Sequence, residues 1–512
     1  MEHKLSRRIS PILLFMLSMN AIIGSGWLFA PLYAARVAGP AAIFSWIIGG
    51  VAAILISLTF AEISSMLPLS GGTAHIPQLS HGVFASFILS WIAWITSIMM
   101  APIEVQAVLQ YASLYFTSLM HATPSGAASL TILGFIWAAI LMLMLCLVNI
   151  FSYQGLMRFN LLIFIFKFSV MAITIFVIFH ARFNPVNFNG LVSSATSMDG
   201  WKAILSAVAT GGIVLAFNGF KSGVEMAGEA KNLALAIPLS TVGAVFACLL
   251  IYLGLQVCFI GALDPAAIQF GWNHLSFSGD LGPFVGLAAG LGLVMLLKLL
   301  YANSVVSPLG AGLIYVTSTA RILFAMSKIG YVPAFLSKLN RHHLPMWAIA
   351  VNFAVGMLSF LPLPGWQAMV DFLIAAMVIT YAMGPISLIC FRLTLPDIDR
   401  PFRLPAANFI CLLAFYCCNL FSYWTGWVTI SKLSLVMLFG LGLFGAAYYR
   451  GNLAVTRQDV KAAKWILPYL LGLVGISYFG AFGGLNWIPF GVDFVVIALF
   501  TLIVFYLAVK SR

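Results

Sequence analysis

Apolar runs, each close to the length of a membrane-crossing helix, are what most constrain the fold of this sequence. The stretch 130–150, for example, contains no charged residue. A hydrocarbon core about 30 Å thick takes about 20 helical residues per crossing. Punctuated at Gly, Pro and charged clusters, the chain gives runs near 11–37, 41–66, 84–119, 130–150, 158–181, 203–226, 237–262, 284–320, 346–363, 367–391, 406–424, 430–449, 466–483 and 491–509. The runs are continuous rather than alternating every second residue, which favours helices over an outer-membrane barrel. With 62% hydrophobic and 7% charged residues among 512, the chain lacks the polar groups to cover a water-bathed globule, and no long polar stretch marks a large soluble domain. The expected fold class is an all-α polytopic membrane protein with about 14 transmembrane helices.

The net charge of +12 is a matter of topology. An even number of spans returns the C-terminus to the side of the N-terminus. The loops on that side collect Lys4, Arg7, Arg8, Arg158, Lys231, Arg321, Lys328, Lys338, Arg341, Arg392, Arg400, Arg403, Arg450, Arg457, Lys461, Lys464, Lys510 and Arg512. The opposite loops hold only Arg36, Arg182, Lys202 and Lys432. Cytoplasmic loops carry such an excess, so both termini are expected in the cytoplasm of a multi-pass plasma-membrane protein (a bacterial inner membrane), with residues 1–10 as a short cytoplasmic N-terminus. The basic segment ahead of the first run lacks a small-residue cleavage site and reads as leading into a retained helix, not a signal peptide. No basic cluster is paired with stacking aromatics, which sets nucleic acid aside as a partner. The seven cysteines lie inside apolar stretches without a Cys-x-x-Cys pair, and His342-His343 has no ligand-spaced neighbour, so no metal or redox site is expected.

Two spans are interrupted. The first reads Asn20 to Pro31 with Gly24, Ser25 and Gly26 near mid-bilayer; the sixth carries Phe217, Asn218, Gly219, Phe220 and Gly223 at a comparable depth. Glycine costs about 1 kcal/mol in a helix interior, and unwound backbone at membrane depth is tolerated only where protein or a water-filled cavity satisfies its amides. Close helix packing at glycine is an alternative for either stretch alone. The interruptions are five spans apart, so the two helices cross in opposite directions, as in inverted repeats of five spans. Free N–H groups at half-helix starts attract an anion and exposed carbonyls a cation. A ligand bearing both charges suits such a pair, which points to an amino acid and the lipid bilayer as the partners.

These residues resemble the amino acid-polyamine-organocation transporter superfamily. Ile23-Gly24-Ser25-Gly26-Trp27 is similar to the family's first-helix break, Pro68 to Gly72 to the turn after its second helix, and Ala216 to Phe220 to its sixth-helix break. Gly228-Glu229-Ala230-Lys231-Asn232, with Ile237-Pro238, resembles the loop into the seventh helix. Thr319 to Met326 with Gly330 to Pro333 resembles the segment after the eighth, and Arg400 to Pro405 the approach to the eleventh. The likeness covers roughly residues 10–450. It implies a 5+5 inverted-repeat core with broken first and sixth helices: a first five-helix repeat over 11–181, a second over 203–391, and helices 11–12 over 406–449. A cytoplasmic loop over 450–465 and an extension of helices 13–14 over 466–512 follow. The resemblance further implies that Ile23, Gly24, Ser25 and Gly26 hold a substrate carboxylate and that Phe217, Asn218 and Gly219 take its ammonium. Phe220 and Trp27, aromatic and close in sequence to the breaks, are candidates to line the pocket and to gate it, with plain packing in a chain that is 14% aromatic as the alternative, and Glu229 is a candidate inner gate with Lys231 or a loop arginine. In some proton-coupled members a fifth-helix lysine stands where sodium-coupled relatives hold a cation, and Lys167 matches that position.

An ionisable group at the bilayer centre costs about 2.5–3.5 kcal/mol on insertion scales, so each needs a partner or a function. Lys167, Lys298 and Glu104 all lie deep within spans. Glu104 is expected to share in proton coupling with Lys167 or to pair with Lys298. Lys298 is also a candidate to bind an acidic substrate side chain, and Lys221 can project toward the pocket. Glu225 and Glu229, four apart, share one face of the sixth helix, while Glu62 and Asp371 read as structural. No catalytic motif is found, and the reading is not an enzyme. The expected function is proton-coupled symport of acidic amino acids by alternating access, with no cofactor beyond the proton; amino acid exchange and transport of neutral amino acids remain open.

Overall fold

The computed structural model describes residues 9–511 apart from 114, 123–127, 152, 276, 278–281, 341–343, 362–364 and 450–455; for 122, 128, 151, 153–159, 375, 436, 443, 446 and 447 it describes the backbone alone. The expectations for Met1 to Arg8, Arg341, His342-His343, Arg450 and Arg512, and for the Arg158 side chain, lie outside the described residues.

The chain is helical almost throughout. The first span is two half-helices, α1 (Pro11–Ile22) and α2 (Gly26–Ala38). Ser10 caps α1 by accepting the Leu13 N–H at 3.3 Å, with Pro11 at the first position. Then come α3 (Ala42–Met66) and the 41-residue α4 (Gly72–Ala112), which starts well before the predicted third span and is kinked at His81 and Gly82. A small antiparallel hairpin, β1 (Met120–Ala122) with β2 (Ala128–Leu130), leads to α5 (Ile132–Phe151) and α6 (Tyr153–Ala181). After a short α7 (Leu191–Thr196), the sixth span is α8 (Met198–Thr210), α9 (Ile213–Ala216), a 3₁₀ turn at Asn218–Phe220 and α10 (Lys221–Glu225).

The second half runs through α11 (Leu233–Pro238), α12 (Ala244–Ala262), α13 (Pro283–Gly290), α14 (Val294–Ile329), α15 (Met346–Leu358), α16 (Gly365–Tyr381) and α17 (Met383–Thr394). It is followed by α18 (Ala407–Trp424), α19 (Trp427–Tyr449), α20 (Arg457–Ala462), α21 (Ile466–Phe479) and α22 (Val492–Lys510). Helix therefore occurs at each of the fourteen predicted runs. Among the described residues, ten helices are long and apolar enough to cross a membrane, or eleven if the bent α8–α10 pair is one span; Pro11–Ile22, Met346–Leu358 and Trp427–Gly442 are shorter apolar helices. The protein is an all-α, multi-pass membrane protein.

Besides the early start of α4, two spans differ from the sequence reading. The sixth span bends by 45° at Gly211–Gly212, ahead of the predicted stretch, because Gly212 adopts a left-handed φ of 80° that ends α8. The predicted eighth span is two helices, parted by Gly292 at a φ of 67°.

α14 lies along α4, and α1 packs against α6, α12, α14 and the sixth-span pieces. One end of the bundle gathers most of the predicted basic loops. There Ile9 bridges Ala230 and Arg321 meets Glu229, while Arg392 meets Glu62 and Asp459 meets Val83.

Candidate functional site

The two interruptions meet in the middle of the molecule. Gly219 is pressed so closely against the Ala21–Ile22 backbone that a side chain there would collide with it, and a Cβ on Gly26 would lie 3.2 Å from the Ala216 methyl. Gly26, expected to hold a substrate carboxylate, thus serves close approach of the broken helices. Tyr252 ties the breaks together: its hydroxyl donates to the carbonyls of Ile22 and Ala216, each at 3.1 Å. Ile23, Ser25, Trp27, Phe217, Phe220 and Lys167 are all buried, so the centre is closed.

At the first break the helix ladder stops, leaving amides and carbonyls to be satisfied by side chains. Ser25 N–H donates to Glu104 Oε2 at 2.6 Å. The carbonyls of Ile23 and Gly24 accept from the Ser307 hydroxyl at 3.3 and 3.2 Å, and Ser307 Oγ in turn accepts from Trp27 Nε1 at 3.1 Å. Trp366 Nε1 donates to Ser25 Oγ at 2.8 Å, while the Tyr315 hydroxyl donates to the Ala21 carbonyl at 2.9 Å. Lys167 is fully buried and donates to both the backbone carbonyl (2.9 Å) and side-chain oxygen (2.6 Å) of Asn20; Asn20 Nδ2 donates to Asn160 Oδ1 at 2.9 Å. The charges of Lys167 and Glu104 face each other across this break.

At the sixth break Asn218 Oδ1 accepts from the Tyr381 hydroxyl, and its amide donates to Met100 Sδ at 3.2 Å. Phe217 packs edge-on to Trp46 and Tyr252, and Phe220 sits between Phe60 and Tyr381. Lys221 is buried, donates to Thr380 Oγ1 at 2.8 Å and lies 4.8 Å above the Tyr381 ring.

Lys298 stands apart from this group. It is exposed near the start of α14, nine residues before Ser307 and so about 13 Å away along the helix axis. Its sequence neighbours are apolar, but its own face of α14 points outward, so it pairs with neither Glu104 nor a ligand at the breaks. The shared face expected for Glu225 and Glu229 is not formed either, because α10 ends at Glu225. Glu225 accepts from Thr73 N–H at 3.3 Å, and Glu229 takes two hydrogen bonds from Arg321 at 2.9 and 2.6 Å. Of the two partners expected for Glu229, Lys231 or a loop arginine, the structure brings an arginine to it, Arg321, which lies within α14 and not in a loop.

Sequence reasoning passed over Asn160, Ser307, Tyr252, Tyr315, Trp366 and Tyr381. Their one mark was a polar or amphipathic side chain inside an apolar run, which many residues of this chain share.

A helical membrane bundle with two interrupted helices joined at a buried polar centre belongs to the class of membrane carriers that work around broken helices. The chain is a member of the amino acid permease family, whose model matches residues 9–444. It is 38% identical to the glutamate/serine transporter AimA of Bacillus subtilis (strain 168), over 99% of this chain and 94% of that relative. It is 33% identical to the aspartate-proton symporter of the same organism, over 97% and 94%, and 24% identical to its branched-chain amino acid permease BcaP, over 86% and 93%. Family and relatives alike are transporters rather than enzymes.

Proposed function

We propose that the protein is a secondary transporter of the plasma membrane that carries acidic amino acids together with protons by alternating access. The observation that carries this reading is the Ser25 amide, freed at a helix start inside the membrane and already bonded to a carboxylate. A substrate α-carboxylate at that amide, with Ile23 and Gly24 beside it, puts the substrate ammonium near the carbonyls of the first break and the Phe217–Gly219 backbone. With Lys298 turned outward, the side-chain carboxylate of aspartate or glutamate falls to Lys221, a buried cation over the ring of Tyr381, whose hydroxyl donates to Asn218. The names of two relatives, a glutamate/serine transporter and an aspartate-proton symporter, support the acidic preference and the coupling ion.

Lys167 and Glu104 are the coupling pair in this reading. A lysine holding the Asn20 carbonyl at 2.9 Å can release it on losing its proton, which links protonation to the first break. Trp27 and the Glu229–Arg321 pair are the gates. The five-helix repeats over 11–181 and 203–391 supply the moving parts, both termini lie in the cytoplasm, and no cofactor takes part.

Purified protein in proteoliposomes tests this. An inward proton gradient should drive aspartate and glutamate accumulation with no internal amino acid. Uptake that requires internal amino acid overturns symport in favour of exchange, and failure to move any of the twenty amino acids overturns the reading altogether.

A further inference from the structure

The amide assigned above to the substrate is not vacant. Glu104 reaches it from α4 and accepts the Ser25 N–H at 2.6 Å. Its carboxylate also occupies the space left by the missing side chain of Gly24, where any Cβ would collide with it. This is the start of the 13-residue α2, where free N–H groups and the helix dipole favour an anion. The protein's own carboxylate sits where a ligand carboxylate would be held best.

A buried carboxylate with a permanent structural role is expected to be saturated, because every unsatisfied bond at a buried charge is costly. Glu62 meets that description: it accepts from Arg392 at 2.9 and 2.6 Å and from Leu404 N–H at 2.7 Å, and it pairs with Arg400 at 3.3 Å. Glu104 does not. Among the described residues its hydrogen bonds go to Ser25 alone, and Lys167, the nearest opposing charge, spends its bonds on Asn20. The other titratable groups facing Glu104 are Tyr252 of α12 and Tyr315 of α14, and the hydroxyls of both donate to backbone carbonyls of the breaks. Glu104 is thus held by one contact that a ligand can replace.

We propose that Glu104 is a built-in placeholder for the substrate α-carboxylate, bound to Ser25 in the empty carrier and displaced from it, carrying a proton, when substrate binds. Two ionised carboxylates cannot share one amide in a buried site, so substrate arrival requires a proton from solution on Glu104. Substrate release lets Glu104 ionise and return to Ser25. The inference rests on the substrate site proposed above and assigns it one proton per substrate.

Aspartate binding to purified protein across a pH series tests the idea. Wild-type affinity should weaken by about tenfold per pH unit once Glu104 is ionised in the empty carrier. In weak buffer, binding should take up about one proton per aspartate. In E104Q the tenfold-per-unit slope and the uptake of one proton per aspartate should be lost. E104D, whose shorter side chain competes less well for Ser25, should keep the pH dependence and bind aspartate more tightly; this variant decides the matter if E104Q does not fold. A wild-type pH slope retained in E104Q, wild-type affinity in E104D, or no proton uptake by the wild type overturns the placeholder. If the wild type binds no amino acid at all, the substrate site itself is wrong.

Discussion

Single residues decide what the buried charges of this chain can do. Lys167, Lys221 and Lys298 look alike in sequence, each a lone cation in an apolar run, yet two are buried on polar partners at the breaks and one is exposed. Lys221→Met should therefore weaken aspartate binding while sparing serine. The loss of a charged hydrogen bond, roughly 1.5–3 kcal/mol, corresponds to about a 10–150-fold rise in the aspartate Kd. Lys298→Met should leave both affinities within twofold, and competition binding in detergent reads the two variants side by side. Equal losses for aspartate and serine in Lys221→Met would remove it from side-chain recognition. Glu104 was legible as an intramembrane acid, but its bond to Ser25 joins residues 79 positions apart. No local pattern carries that information.

At the level of elements, the interruptions were legible where glycine clusters with polar residues, as at Gly24–Gly26, and were missed where glycine alone changes the backbone. Gly211–Gly212 and Gly82 are of the second kind. The kink at His81 and Gly82, where Gly82 has a φ of 75°, frees the Val83 N–H, and Asp459 accepts it at 3.0 Å while also closing the capping box of α20 through Thr456. His81 lies against the Ala508 carbonyl of α22 and the Trp465 ring. The segment after α19, open in role from sequence, braces the bend in α4. Asp459→Ala should lower stability by about 1–2 kcal/mol, the loss of a helix cap. Thermal unfolding in detergent should register it as a reduced midpoint, with substrate affinity unchanged.

The whole molecule is fastened at the end that gathers the basic loops. There Glu62 of α3, fully buried, joins Arg392 of α17, Arg400 and the Leu404 amide, tying the second span to the tenth and to the approach to α18. Glu62→Gln leaves two arginines with a neutral partner. A cost of roughly 3–5 kcal/mol is expected for breaking a buried pair, read as a large drop in the thermal midpoint; a midpoint like that of the wild type would show the cluster to be dispensable. The Arg400 to Pro405 motif was visible in the sequence, whereas the attachment of Arg400 and the Leu404 amide to Glu62, more than 330 residues earlier, was not. The sequence by itself determined that the chain is an all-α membrane protein, where its helices fall and where the first helix breaks, because hydropathy, charge bias and glycine act locally along the chain. Only the tertiary structure decided which of the buried charges meet: which face of a helix turns inward depends on the helices packed against it. That choice brought Glu104 to Ser25 and Lys167 to Asn20, and it left Lys298 outside.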